Sequence, residues 1–161
     1  GLAGGYSFEM VIVNDPQQRR VGEVIQGMAK EAGFNISLKP SEFASALNDG
    51  DAGKHQAFLI GWSGRVDPDA NIFQFHTCGA TLNTTHSCDE GVDVILNRAR
   101  EVSDLTQRTS LYRQAVDKFA FARRNIIYIY HANYIVAYPK ALKGYKAVPD
   151  GLIRIKGVSW Q

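Results

Sequence analysis

Cysteine is scarce, with two residues in 161, so no multi-bridge disulfide framework holds this chain together. Charge of one sign is also lacking. Eighteen Lys and Arg stand against 16 Asp and Glu, a formal net charge of +2, which leaves little excess field for gripping a phosphate backbone. Nucleic acid is therefore not an expected partner. The two basic pairs, Arg19-Arg20 and Arg123-Arg124, lie beside apolar helical positions and read as solvated helix ends. No apolar run approaches the length needed to cross a bilayer, and no charged start followed by an apolar stretch marks a signal peptide. The chain opens Gly1-Leu2-Ala3-Gly4-Gly5 rather than on methionine, so an earlier segment is expected to have been removed and the missing leader says nothing about compartment. The catalytic signatures are missing too. There is no phosphate-cradling P-loop, no dinucleotide glycine fingerprint and no nucleophile elbow G-x-S-x-G, so no cofactor and no catalytic residue is expected.

What is present is enough apolar residue, 45% of the chain, for a core of ordinary size in one compact domain over residues 1–161. Phe8 to Val13 is β-rich, and Asp15-Pro16 then offers an N-cap followed by proline at the first helical position. Val21, Val24, Ile25, Met28, Ala29 and Ala32 recur at helical steps up to Gly33, a natural helix end. Ile36 and Leu38 alternate with polar neighbours as a half-buried strand does, and Ser41-Glu42-Phe43 opens a short helix through Leu47. Asn48 to Lys54 reads as a polar turn, and Gln56 to Gly61 as a strand whose Ala57-Phe58-Leu59-Ile60 core is buried on both faces. This βαβαβ pattern predicts parallel pairing. Asp89 to Val102 and the stretch opened by Asp104 with Gln107 form a helical hairpin. Ile126 to Tyr130 and Tyr134 to Tyr138 are β-rich runs that predict a return to strand, and the tail from Lys143 to Gln161 is less regular.

The most informative stretch is Gly61-Trp62-Ser63-Gly64-Arg65-Val66-Asp67-Pro68-Asp69, which follows an apolar strand and turns abruptly to turn and charge chemistry. In open α/β sheets ligands gather beyond the carboxyl ends of strands. A tryptophan supplies a flat apolar wall, glycines allow close backbone approach, and Arg65, Asp67 and Asp69 supply charge. Binding fits that set better than catalysis. The plainer alternative, a core Trp62 with Arg65 paired to Asp67 or Asp69 at the surface, accounts for the same residues equally well. A second grouping, His76-x-Cys78 and His86-x-Cys88, places four soft ligands in a short loop. It admits a tetrahedral zinc in a small metal-binding domain, although its order and spacing match none of the common zinc modules. Two cysteines in an exported chain usually pair covalently, so a Cys78 to Cys88 disulfide is the favoured reading of the two.

An ordered set of features resembles the extracellular family 5 solute-binding proteins that serve oligopeptide, dipeptide and nickel ABC importers. The carriers are Gly61-Trp62-Ser63-Gly64, Asp67-Pro68-Asp69, the Cys78 and Cys88 pair, and the helix Val92 to Ala99 with Arg100. Asp104-x-x-x-Arg108-x-x-Leu111-Tyr112, the run Ile126 to His131, and Val136 to Tyr138 leading to Lys143-Gly144-Tyr145 complete the set. The resemblance implies an α/β periplasmic-binding-protein-like lobe, with a mainly parallel sheet flanked by helices and a helical hairpin. It also implies a non-enzymatic, periplasmic or surface-exposed binder that captures a peptide-like or other small polar solute and hands it to a membrane permease. Family members are several times longer, so residues 1–161 correspond to most of the second lobe, with the first lobe as a further partner. Trp62, Ser63, Gly64, Arg65 and Asp67 are then the expected cleft wall, with Cys78 and Cys88 as a structural bridge. The remaining alternatives are the zinc domain on His76, Cys78, His86 and Cys88, and a stand-alone interaction module. One departure stands out. Dipeptide and oligopeptide binders of the family carry, three residues after the tryptophan, an aspartate that pairs with the peptide's amino terminus, and this sequence has Arg65 there.

Overall fold

A computed structural model describes residues 4–120, 125–148 and 151–161 in full and the backbone of 121–123. The opening Gly1-Leu2-Ala3 and the side chains of the Arg123-Arg124 pair lie outside the described residues. The chain divides into two compact units, one comprising Gly1–Trp62 and Thr81–His86, the other Ser63–Ala80 and Ser87–Gln161.

In the first unit the buried run Met10-Val11-Ile12 makes β1 (Tyr6–Val13) a central strand, apolar on both faces as parallel sheets demand. Asp15 then caps α1 (Pro16–Glu31), accepting from the amides of Gln17 and Gln18, with Pro16 contributing a preset φ and no unsatisfied amide. The helix ends as its sequence predicts: Ala32 and Gly33 donate back to Ala29 and Lys30, and Gly33 takes φ +86°, which only glycine adopts without strain. Gly22 brings α1 down on the sheet, because a Cβ there would meet both Leu38 methyls at 3.3 Å. After β2 (Phe34–Ser41), α2 (Phe43–Asp51) is capped by Glu42, and β3 (Ala57–Leu59) closes a sheet of order β2-β1-β3. All pairings are parallel, with Tyr6 opposite Phe34 and Met10 opposite Ala57.

Two expectations for this unit need correction. Helix α2 runs on to Asp51 rather than stopping at Leu47, because Gly50 serves packing rather than turning: a Cβ on it would lie 2.9 Å from the Phe58 ring. Strand β3 is three residues long and half-buried, and Ile60 is exposed, because it has one neighbour in the ladder instead of two.

The second unit is built on helices. Its core comprises Val92, Leu96 and Ala99 of α4 (Glu90–Glu101), Tyr112 and Ala115 of α5 (Leu105–Val116), and Phe119 of the following π-helical segment (Asp117–Arg123). Ile72 and Phe73 of α3 (Asp69–His76) pack against it. The α4–α5 hairpin forms through the caps read from sequence: Asp89 accepts from Gly91 and Val92, and Asp104 from Gln107. Helix α3 was not anticipated in what read as a loop. The runs 126–130 and 134–138 are not strands, a second correction. No described strand pairs with them, and Ile127 and Ile135 are 79% and 94% exposed. Their β-branched and aromatic composition suits a pleated surface with neighbours, which the described residues of this unit do not supply. Only β4 (Leu142–Lys143) and β5 (Ser159–Trp160) pair, antiparallel, in the tail. No described helix is long and apolar enough to cross a membrane.

Leu96 is fully buried, so Leu96→Ala is expected to lower stability by about 2–5 kcal/mol through lost burial and the cavity it leaves. Urea denaturation followed by circular dichroism checks this. An unchanged midpoint would mean the α4–α5 core is not the one described.

Candidate functional site

Sheet order β2-β1-β3 places the topological switch between β1 and β3, since the chain leaves β1 to one side to form β2 and then crosses to the other side for β3. Ligands of open α/β sheets bind beyond the carboxyl ends of strands at such a switch. The segment leaving β3 there is Ile60-Gly61-Trp62, and Trp62 is 45% exposed, not a core aromatic.

From Ser63 the chain belongs to the second unit, where its course is fixed by hydrogen bonds. Gly64 turns at φ +76°. Arg65 is exposed, and its guanidinium Nη1 donates to Ser63 Oγ at 3.0 Å and to the Gly64 carbonyl at 2.6 Å. Asn71 of α3 staples the same stretch. Its Oδ1 accepts from the Arg65 amide at 2.7 Å, and its Nδ2 donates to the carbonyls of Arg65 and Asp67 at 2.7 and 2.9 Å.

Asp67, itself exposed, is gripped from the hairpin. Arg108 of α5 donates to both of its carboxylate oxygens, Nη2 to Oδ1 at 2.7 Å and Nη1 to Oδ2 at 2.9 Å, the bidentate geometry that a guanidinium makes with a carboxylate. The same Asp67 Oδ1 accepts from the Asp69 amide at 2.8 Å, which starts α3. Arg108 also donates from Nε to the Ala99 carbonyl at 3.2 Å and from Nη2 to the Tyr112 hydroxyl at 3.1 Å. The Arg108 hydrogen bonds and then the Asp69 amide hold the Asp67 carboxyl below its ordinary 3.8, and the Asp67 bond raises Arg108 further above its ordinary value. Asp69 is ion-paired to Arg100 at 3.3 Å, and that guanidinium lies 4.1 Å over the Phe73 ring. Asp67, Asp69, Ala70, Arg100 and Arg108 line a shallow open depression whose charges answer one another.

The structure thus brings Ser63, Gly64, Arg65 and Asp67 into one hydrogen-bonded stretch and puts Trp62 at the end of the first unit. Its carboxylates are carried by Arg108 and Arg100, which reads against a surface pairing of Arg65 with Asp67 or Asp69. Sequence reasoning gave no role to Asn71, Arg100 or Arg108. Arg108 stood in a quoted motif, but its partner lies 41 residues away, beyond any local signal.

The zinc alternative is overturned. Cys78 and Cys88 are bonded to each other, which removes both thiolates, and the Cys78 amide donates to Asp93 of α4 at 3.0 Å. Closing a separation of 10 residues stabilises the loop by about 2.5 kcal/mol on chain entropy. His76 is 3% exposed, stacked on Phe119 at 3.6 Å, with Nε2 2.7 Å from the Tyr128 hydroxyl, and His86 is an exposed residue of the first unit. Among the described residues no group of three His, Cys, Asp or Glu is arranged to hold a metal ion.

No family model matches the chain. It is 31% identical over 104 residues, 62% of its length, to di/tripeptide-binding protein 4 of Pseudomonas aeruginosa, and covers 20% of that protein. It is 26% identical over 168 aligned positions, 99% of its length, to the dipeptide-binding protein of Escherichia coli, and covers 31% of it. A dipeptide-binding protein from Pseudoalteromonas solved with Met-Leu superposes over all of the chain with a TM-score of 0.72 at 18% identity, and the chain covers 33% of it. The chain therefore spans between a fifth and a third of the length of these relatives, and its fold is that of a periplasmic-binding-protein lobe.

His76 sets a pH dependence. Burial lowers its pKa from 6.5 to about 4, so between those values the unfolded chain binds the proton that the folded chain refuses. Stability is expected to be full above pH 6.5 and to decline on acidification to pH 4, by on the order of 3 kcal/mol. Denaturation midpoints across this range should show the slope in the wild type and lose it in His76→Gln. An equal slope in both would reject the assignment.

Proposed function

We propose that this chain, related in sequence and fold to dipeptide- and oligopeptide-binding proteins, is a binding lobe of the solute-capturing component of an ABC importer. Residues 1–161 are read as most of the second lobe of a two-lobed protein. That protein works in the periplasm or on the outer surface, takes up a peptide-like or other small polar solute, and delivers it to a membrane permease. It performs binding without turnover.

The observation that carries this reading is the Trp62 to Asp67 stretch leaving the carboxyl end of β3 at the switch of a parallel sheet. Trp62 supplies an apolar face, Ser63 a hydroxyl, Gly64 a backbone free of Cβ, and Arg65 a cation. Asp67 is held by Arg108, and Asn71 ties the Asp67 and Arg65 carbonyls together. A lobe by itself offers half the burial that a closed cleft provides, so the chain alone is expected to bind weakly.

The test is calorimetric titration of the full-length protein with a panel of di- and tripeptides. At least one member should bind, and Trp62→Ala should weaken it about tenfold or more, near 1.4 kcal/mol. A panel that gives no heat, or a tight complex indifferent to Trp62→Ala, would contradict the reading.

A further inference from the structure

We propose that the outer face of α1 is a self-association surface, on which a second copy of this chain docks its own α1 antiparallel about a twofold axis.

The inner face of α1 is settled by packing. A Cβ on Gly22 would meet Leu38 and Ile12, and Ile25 and Ala29 pack on the core of the sheet. The opposite face carries Arg20, Val24, Gly27 and Glu31 at alternating four- and three-residue helical steps, with Met28 at its side. All five are exposed. Val24 and Met28 are 60% and 68% exposed, although their periodicity alone would set them with Ile25 and Ala29. Gly27 leaves a gap in this stripe, since a Cβ built on it would meet nothing within 4 Å.

Two features fit the stripe to its own copy. The first is register: the pair Arg20 and Glu31 and the pair Val24 and Gly27 share one midpoint along the helix. A twofold axis through that point sets Arg20 of one copy opposite Glu31 of the other at both ends, and seats each Val24 over the other copy's Gly27. The second is charge. Among the described residues no ion pair involves Arg20 or Glu31, and each stands toward the helix end whose dipole has its own sign, since α1 has no acidic residue in its first turn and ends on Glu31. An antiparallel neighbour brings a carboxylate to the positive end and a guanidinium to the negative one. A parallel neighbour would set arginine beside arginine. A single pair of 16-residue helices belongs with interfaces below about 1,200 Å², so the association is transient.

Sedimentation velocity of the full-length protein over a wide concentration range tests this, with wild type, Arg20→Glu, Glu31→Arg and the double variant. Wild type should show a concentration-dependent equilibrium between monomer and dimer. Either single replacement sets like charges together at both ends of the pair, and should weaken the dimer about tenfold or more. Each replacement also suits its own helix end, so the monomer should melt no lower than wild type, which separates loss of the dimer from loss of fold. The double variant, and an equimolar mixture of the two single variants, restore opposite charges and should associate within about threefold of wild type. A full-length protein that stays monomeric throughout, a dimer indifferent to both single replacements, or a double variant as weak as the singles would overturn the proposal.

Discussion

The fork between Arg108 and Asp67 is the constraint from which the second unit takes its order. One planar guanidinium reaches three pieces of structure: the carboxylate that opens α3, the last turn of α4 through the Ala99 carbonyl, and Tyr112 one turn along α5. Nη1 and Nη2 take Asp67, Nε takes Ala99 and Nη2 also reaches Tyr112, a planar set of donors that a lysine ammonium cannot reproduce. Because Asp67 also accepts from the Asp69 amide, the same carboxylate that ties the loop to the hairpin starts the helix bearing Asn71, and Asn71 in turn fixes Arg65. The exposed head of Arg65 is thus placed by a chain of hydrogen bonds that ends in the helical core.

Where chemistry is local, the sequence was a good guide. Asp15-Pro16, Gly33, Asp89 and Asp104 each act within four residues of themselves, and each occupies the cap or terminus it predicted. Where the outcome depends on a neighbour, it was not. The run Ile126 to Tyr130 has the composition of a strand, but composition expresses fitness for a sheet and does not provide one. Gly50 looked like a turn residue because its packing partner, Phe58, is distant in the pattern. Helix α3 is eight residues long and ends in a Thr- and Cys-containing stretch, so its i, i+3, i+4 set of Asp69, Ile72 and Phe73 was too short to register. The Trp62 to Asp67 loop was legible because a sharp change of chemistry at a strand end is itself a local signal. The division of labour within it, with Asp67 bound to Arg108 and the Arg65 backbone held by Asn71, needed Arg108 and Asn71 to be placed.

The His and Cys grouping shows how one set of residues is resolved by packing. His76 is drawn into the core by stacking on Phe119, and the cysteines close on each other against Asp93. A soft-ligand pattern becomes a buried histidine and a bridge. The exposed run containing Ile127, Ile129 and Ile135 illustrates the converse, apolar surface that gains stability only from a neighbour.

The central claim is that the loop from Trp62 to Asp67 faces the solute. Hydrogen exchange of the full-length protein, with and without a saturating dipeptide mixture, tests it most directly. The account predicts slowed exchange at the amides of residues 62–66, with the α4–α5 hairpin unchanged. Protection confined to other segments, with residues 62–66 exchanging at the same rate in both samples, would contradict it.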